Sequence, residues 1–349
     1  MLGSQSMNKA KRVLTGLGAL LLLFSSCNQK KESKNQSQSD ENSSCTESAT
    51  ISLGFSTNLE DPRGVASLLF KDEVEKNSNG RIKIAIYPNG ELGSDSDLIE
   101  GVINGKVDMT VSSAGNFAVY ATKLGISALP FLFSSFDDAW AFMDGEIVSE
   151  VNETLKKFGI VVLSHYDNGF RCVTTTNRPV KTVADMKGLN IRTPPNQIVM
   201  ETMSALGAEP KAYAFNELKK ALDDGIFNSQ ENPIPVIYNS KLYEEQKYLA
   251  ITNHSYDAMP LVIRKDLWDK FSESDKNILL EAAKKAQDLD RKLVKEQTES
   301  YVEKLREVGM TITTPDLKAF QDATRGVMDV FTTVYGEDLL KKLKVAITK

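Results

Sequence analysis

Two histidines, three cysteines and a group of arginines near the middle of the chain are the residues best equipped for chemistry. None of them stands in a catalytic arrangement. Gly-x-Ser-x-Gly, His-Glu-x-x-His, the Walker phosphate loop and paired Cys-x-x-Cys are all absent. Gly16-Leu17-Gly18 follows no strand and is no nucleotide fingerprint. His165 and His254 have no identifiable nucleophile beside them and read as hydrogen-bonded packing residues. Asp137-Asp138, Asp223-Asp224 and Glu244-Glu245 lie in polar stretches and read as solvated faces, not as the paired carboxylates of a glycosidase. Two histidines are too few for a His-rich metal site. The pattern points to binding and not to catalysis, with no cofactor and no metal.

The arginines carry the more specific signal. Arg171 closes Asn168-Gly169-Phe170-Arg171, just after a strand, and Arg192 ends the strand Asn190–Thr193 before Pro194. Gln230-Glu231-Asn232-Pro233 follows the helical stretch Asn216–Asp224. A guanidinium offers a planar fork that matches the two oxygens of a carboxylate. The residues alone leave other readings open: a surface ion pair for either arginine, a turn for Asn232, core packing for Phe215. The net charge of −5 excludes the basic footprint of nucleic-acid binding. An acidic chain that captures anions must do so with locally placed cations, since its long-range field repels them.

These residues need a scaffold, and the pattern supplies an α/β one. Length 349 suggests two domains or one large one, and 41% hydrophobic with 26% charged residues is ordinary for a globular protein. Ile51–Phe55 and Arg81–Tyr87 alternate with the two-residue period of half-buried strands. Between them Val65, Leu68, Leu69 and Val74 recur at helical spacing up to Asn79-Gly80, a stop signal. A helix over 95–105 leads to a strand at Val107–Val111, and further strands fit Ile160–Leu163, Asn190–Thr193 and Thr311–Thr314. Strands alternating with helices predict mainly parallel sheets. From Ser274 to about Val308 apolar residues keep a helical period without Pro or Gly. One helix there would be roughly 45–50 Å long and could strut two lobes, with two helices and a short kink as the alternative.

The first segment reads as an export address. From Met7, the positive residues Lys9, Lys11 and Arg12 precede an apolar run, Val13–Phe24, about half the ~20 residues of a bilayer span. Phe24-Ser25-Ser26-Cys27 resembles a lipobox, whose cysteine is lipidated and becomes the first residue of the mature chain. Residues 1–26 are then a lipoprotein signal peptide, and the lost positive charges take the net charge from −5 to about −8. Residues 27–49 are polar, without an aromatic, and read as a disordered tether. Cys45 lies in it, a poor disulfide partner for Cys172.

Taken in order, several stretches resemble the solute-binding subunits of tripartite ATP-independent periplasmic (TRAP) transporters of the dicarboxylate-binding (DctP) type. They are Tyr87-Pro88-Asn89-Gly90-Glu91-Leu92-Gly93, Leu129–Phe133, Phe215-Asn216-Glu217-Leu218 and Thr252-Asn253-His254, together with the arginine segments above. The resemblance covers nearly all of 51–340. It implies a periplasmic-binding-protein-like fold whose two lobes close on an organic acid. Those lobes would be 50–168 plus 257–295, and 169–256 plus 296–342. It implies no catalysis, and delivery of the solute by a monomer, lipid-anchored at a periplasmic or cell-surface membrane, to permease subunits driven by an ion gradient.

By position, the resemblance makes Arg192 the grip on the ligand carboxylate, Arg171 a second pocket arginine, Asn232 an amide donor and Phe215 an aromatic wall. Asp95 matches an acidic ligand contact. Ser113 and Asn116 stand where sialic-acid-binding members have an acid and an arginine, so the acid's partner for hydroxyl or amine groups is missing. Ser56, Asn116 and Asn168 add neutral polar groups, and the stretch containing Asn168 and Phe170 is similar to that of sugar-acid-binding members. The set suits a polyhydroxylated monocarboxylate such as a hexuronate or aldonate. A C4-dicarboxylate or 2-oxo acid ranks second, as does a receptor that presents its ligand to a sensor kinase.

Overall fold

The computed structural model describes residues 48–336. Cys27, Cys45 and the rest of the signal and tether expectations lie outside the described residues. The chain begins with β1 (Ala49–Gly54), α1 (Pro62–Asn77), β2 (Ile82–Tyr87), α2 (Asp95–Ile103) and β3 (Met109–Val111). Asp61 caps α1 by accepting from the Arg63 N–H, and a capping box between Ser94 and Asp97 starts α2. After two 3-10 turns come α3 (Phe136–Met143) and α4 (Glu146–Leu155), then the long strand β4 (Ile160–Thr175). There follow β5 (Asn190–Thr193), α5 (Gln197–Ala205), β6 (Glu209–Ala212), α6 (Leu218–Asp223), β7 (Ser229–Pro233) and α7 (Ile234–Asn239). The chain returns through β8 (Tyr248–Arg264), α8 (Lys265–Trp268), α9 (Glu273–Glu307), β9 (Thr311–Thr313) and α10 (Leu317–Tyr335).

The strands form one sheet in the order β2-β1-β3-β8-β4-β7-β5-β6, with β9 on β8. Among the described residues five of the eight strand pairings are parallel, in line with the expectation of a mainly parallel sheet, and the centre departs from it. The flanks are parallel, β1 with β2 and β3, and β5 with β6 and β7. The centre is antiparallel, because β4 and β8 run against each other and against their outer neighbours β7 and β3. These two strands cross from one parallel half to the other, which is how a single sheet serves two lobes. Their pairing slips at three places, one of them between Asp167 and Gly169. Gly169 has φ of 104°, and a Cβ there would stand 3.1 Å from Val294 of α9, so only glycine fits the bulge.

α9 is one uninterrupted helix of 35 residues, which removes the two-helix alternative. Ser272 caps it by accepting from Asp275, acids occupy its first turn and Lys304 and Arg306 its last, matching the helix dipole. Leu279, Ala282, Ala283 and Ala286 pack into the core of β1–β3. Leu305, flanked by Tyr301 and Val302, packs into the core around α6 and α7. Between these ends the buried face turns polar: Gln287 accepts from the His165 N–H at 3.0 Å and Asp290 from the Asp167 N–H at 2.5 Å. The helix is therefore greased at both lobes and hydrogen-bonded to β4 where the strand bulges. Cys172 is a buried free thiol whose pKa burial pushes up to about 11.

Candidate functional site

Open α/β sheets present ligand sites beyond the carboxyl ends of their strands. Here the carboxyl ends of β1, β3, β5 and β7 converge on a cleft with about 350 Å³ of free space up to its mouth. It continues past Arg192, Asp95 and Asn116 into a recess of about 500 Å³ lined by Tyr213 and Pro195. Nine of the ten residues expected from sequence line the cleft: Ser56, Asp95, Ser113, Asn116, Asn168, Arg171, Arg192, Phe215 and Asn232. Phe170 does not. It stacks between Phe136 and Tyr256, at 5.1 and 5.5 Å between ring centroids, in the apolar cluster behind β4.

The two expected arginines occupy opposite electrostatic states. Arg192 is 2% exposed and donates from Nε and Nη2 to the Tyr213 carbonyl, and it forms no ion pair among the described residues. Its Cζ lies 5.8 Å from the Phe215 ring centroid, a cation–π contact. Burial lowers its pKa to about 10, so the charge persists at neutral pH. Arg171 is instead saturated. Nε and Nη2 take the two oxygens of Glu231, Nη1 reaches Asp257 at 3.0 Å, and Nη2 also donates to Asn232 Oδ1 at 3.1 Å. Burial pushes the Glu231 carboxyl up, but Arg171 and His254 outweigh it and hold it below its ordinary value. Arg171 thus lines the cleft with its charge compensated inside the protein.

The remaining lining is rich in acceptors. Asp95 opens α2 and takes the Ser56 hydroxyl on both oxygens, at 3.0 and 3.1 Å. Asp257, which the sequence reading missed, is the hub of the opposite wall. It accepts from Ser113 Oγ at 2.6 Å and from Asn168 Nδ2 at 2.8 Å, besides Arg171. β8 thus brings a carboxylate up to Ser113. Asn232 spends part of its amide on Gln230 Oε1 at 2.6 Å. Arg63, Thr57, Pro194, Val236 and Met259 complete the lining and were also missed. His254 bridges Thr252 and Glu231 as a hydrogen-bonded packing residue. Among the described residues no group of His, Cys, Asp and Glu side chains is placed to hold a metal ion, and no helix is long and apolar enough to cross a membrane.

The rims of the cleft meet. Asn58 Nδ2 donates to the Asn239 carbonyl at 2.8 Å, and a Cβ on Gly115 would fall 1.9 Å from Asn196 Nδ2.

A two-lobed α/β scaffold closed over an arginine-bearing cleft is the architecture of a binding protein for small solutes. The chain belongs to the bacterial extracellular solute-binding proteins of family 7 (DctP), whose family model matches residues 53–333. These are the substrate-binding components of TRAP transporters and are not enzymes. The chain is 33% identical over 296 residues to the 2,3-diketo-L-gulonate-binding periplasmic protein YiaO of Escherichia coli, covering 84% of this chain and 90% of that one. A TRAP periplasmic solute-binding protein of Polaromonas, solved bound to D-erythronate, superposes with TM-score 0.82 at 32% identity, over 85% of this chain and 98% of that one. The sugar-acid-binding protein of Advenella mimigardefordensis, solved with galactonate, gives TM-score 0.84 at 27% identity, over 86% and 98%.

Proposed function

We propose that this protein captures a sugar acid, an aldonate or hexuronate, by closing its lobes on the carboxylate, and hands it to an ion-gradient-driven permease. The observation that carries the reading is Arg192, a buried cation held from behind by a backbone carbonyl and in an ion pair with no carboxylate among the described residues. A ligand carboxylate supplies what such a group lacks, since a buried charge is stable only when paired. Around it the cleft offers Asp95, Asp257, Asn116 and Asn168, acceptors and amides suited to a chain of hydroxyls. These side chains match a row of hydroxyls, which donate as well as accept, and that ranks polyols above C4-dicarboxylates. Relatives of similar architecture with erythronate and galactonate support the same class.

The lobes in this reading are 50–168 plus 257–295, and 169–256 plus 296–342, joined by β4, β8 and α9. The apolar run ending in Phe24-Ser25-Ser26-Cys27 supports export and a lipid anchor on Cys27, which holds a monomer at the membrane near its permease. Thermal shift against galactonate, gulonate, galacturonate, succinate and 2-oxoglutarate tests the ligand class. A ligand present at one hundred times its Kd stabilises by about 2.7 kcal/mol. Stabilisation by succinate or 2-oxoglutarate and by none of the sugar acids overturns it.

A further inference from the structure

A third arginine lines the cleft, and the family resemblance gives it no role. Arg63 stands in the first turn of α1, is 4% exposed, and shares the cleft with Arg171 and Arg192. Its Nε is buried without a hydrogen-bond partner among the described residues. Nη1 makes one long contact to the Val111 carbonyl at 3.4 Å, and Nη2 lies 3.7 Å from the soft sulfur of Met259. Among the described residues no carboxylate forms an ion pair with it. Asp61, the nearest in sequence, spends its Oδ1 on the Arg63 backbone N–H and the Thr57 hydroxyl. Burial pushes the carboxyls of Asp61 and Asp290 up, Asp290 well above its ordinary value.

A buried guanidinium with so few partners is unstable unless something in the cleft accepts from it, because a guanidinium only donates. The sheet places it across from Arg192, the grip proposed above. Arg63 leans on β3 and β8, whereas Arg192 is on β5, and β4 and β7 lie between. Three inter-strand steps from β8 to β5 separate the two supports by about 14 Å at about 4.8 Å each. One uncommitted cation thus faces the cleft from each side.

We propose that Arg63 is a second ligand-contacting cation that sets specificity, donating to the oxygens at the far end of a sugar acid whose carboxylate Arg192 holds. The inference rests on the sugar-acid reading above. It makes ligand length a selected property, since a short acid anchored on Arg192 leaves Arg63 unsatisfied.

Titration calorimetry with D-glycerate, D-erythronate and D-galactonate, on the wild type, Arg63→Met and Arg63→Lys, tests it. Wild-type affinity should rise with chain length. Arg63→Met should lose roughly tenfold or more on galactonate and less than about twofold on glycerate, with Arg63→Lys in between. Unliganded Arg63→Met should melt at or above the wild type, because it loses an uncompensated buried charge. Galactonate binding by Arg63→Met within about twofold of wild type, or equal losses on all three acids with a lowered melting temperature, would overturn the proposal and leave Arg63 a structural residue. Failure of the wild type to bind any of the three acids or galacturonate is a different result: it refutes the sugar-acid reading, and the proposal falls with it.

Discussion

Arg192 donates from both Nε and Nη2 to the single carbonyl oxygen of Tyr213, at 2.9 and 2.6 Å. That contact fixes one edge of the guanidinium plane and leaves Nη1 to the cleft, so the charge is aimed before any ligand arrives. A lysine keeps the charge but has no plane to fix and no second edge to present. Arg192→Lys should therefore cost about 2–5 kcal/mol of binding free energy to a carboxylate ligand. Calorimetry measures it, and an unchanged Kd removes Arg192 from the role.

Arg171 is expected to behave in the opposite way, through stability. Its guanidinium is buried with Glu231 and Asp257 at 3% exposure or less for the arginine and 5% or less for the acids. Glu231→Gln leaves a buried cation with one of its two anionic partners. The loss should be about 3 kcal/mol, the lower end for broken buried pairs because Asp257 remains. Urea denaturation should show a lower midpoint with an unchanged slope. A midpoint equal to that of the wild type would mean the pair adds nothing to the fold.

Which of these features sequence could show follows from how local their causes are. β1, β2 and β5 are bounded within a residue or two by alternation and turn residues, and α9 by an unbroken helical period. β8 escaped because it is buried on both faces along much of its length, carries Asn253, His254 and Asp257, and contains Pro260, which ordinarily argues against a central strand. The apolar pattern of β4 stops at Leu163, yet the strand runs to Thr175, its polar stretch stabilised by partners on α9 and β8. Asp257 was invisible as a site residue because its partner Ser113 is 144 positions away. Arg63 sits at a helix start, where nothing local marks it for burial, and the approach of β3 and β8 buries it. Arg192 and Asn232 were legible through the motifs around them, but the compensation of Arg171 by Glu231 required three dimensions.

Gly115 provides a test of closure that touches no ligand atom. It precedes Asn116 on one rim, and across it stands Asn196, whose Oδ1 caps α5 by accepting from Ile198 and Val199. A Cβ on Gly115 would sit 1.9 Å from Asn196 Nδ2 and 2.7 Å from its Cγ. Asn196 cannot swing aside without giving up the cap, worth about 1 kcal/mol. Gly115→Ala should thus disfavour the closed form and weaken binding roughly fivefold, mostly by faster ligand release. Stopped-flow dissociation reads this, and a release rate equal to that of the wild type would show that the rims need not meet.

The joint between β4 and α9 should reveal itself in the pH dependence of stability. Burial raises Asp167 from an ordinary 3.8 to about 7, although Trp140 Nε1 donates to its carboxylate at 2.5 Å. Burial lowers the neighbouring His165 from 6.5 to about 4, helped by Arg291 and opposed by Asp144. Arg291, Asp290 and Tyr256 also face Asp167 across the joint. Between about pH 4 and pH 7 the folded state keeps an Asp167 proton that the unfolded chain has released, so this group's contribution falls as pH rises. Between about pH 4 and pH 6.5 the unfolded chain holds a His165 proton that the folded state excludes, so that contribution grows as pH rises. The two oppose each other in the wild type. Asp167→Asn keeps an acceptor for Trp140 and removes one of them, exposing the His165 slope. The variant should then gain up to about 3 kcal/mol more than the wild type between about pH 4 and about pH 6.5. Urea midpoints across that range test it, and parallel pH profiles for the two proteins would mean that Asp167 is already ionised in the folded state.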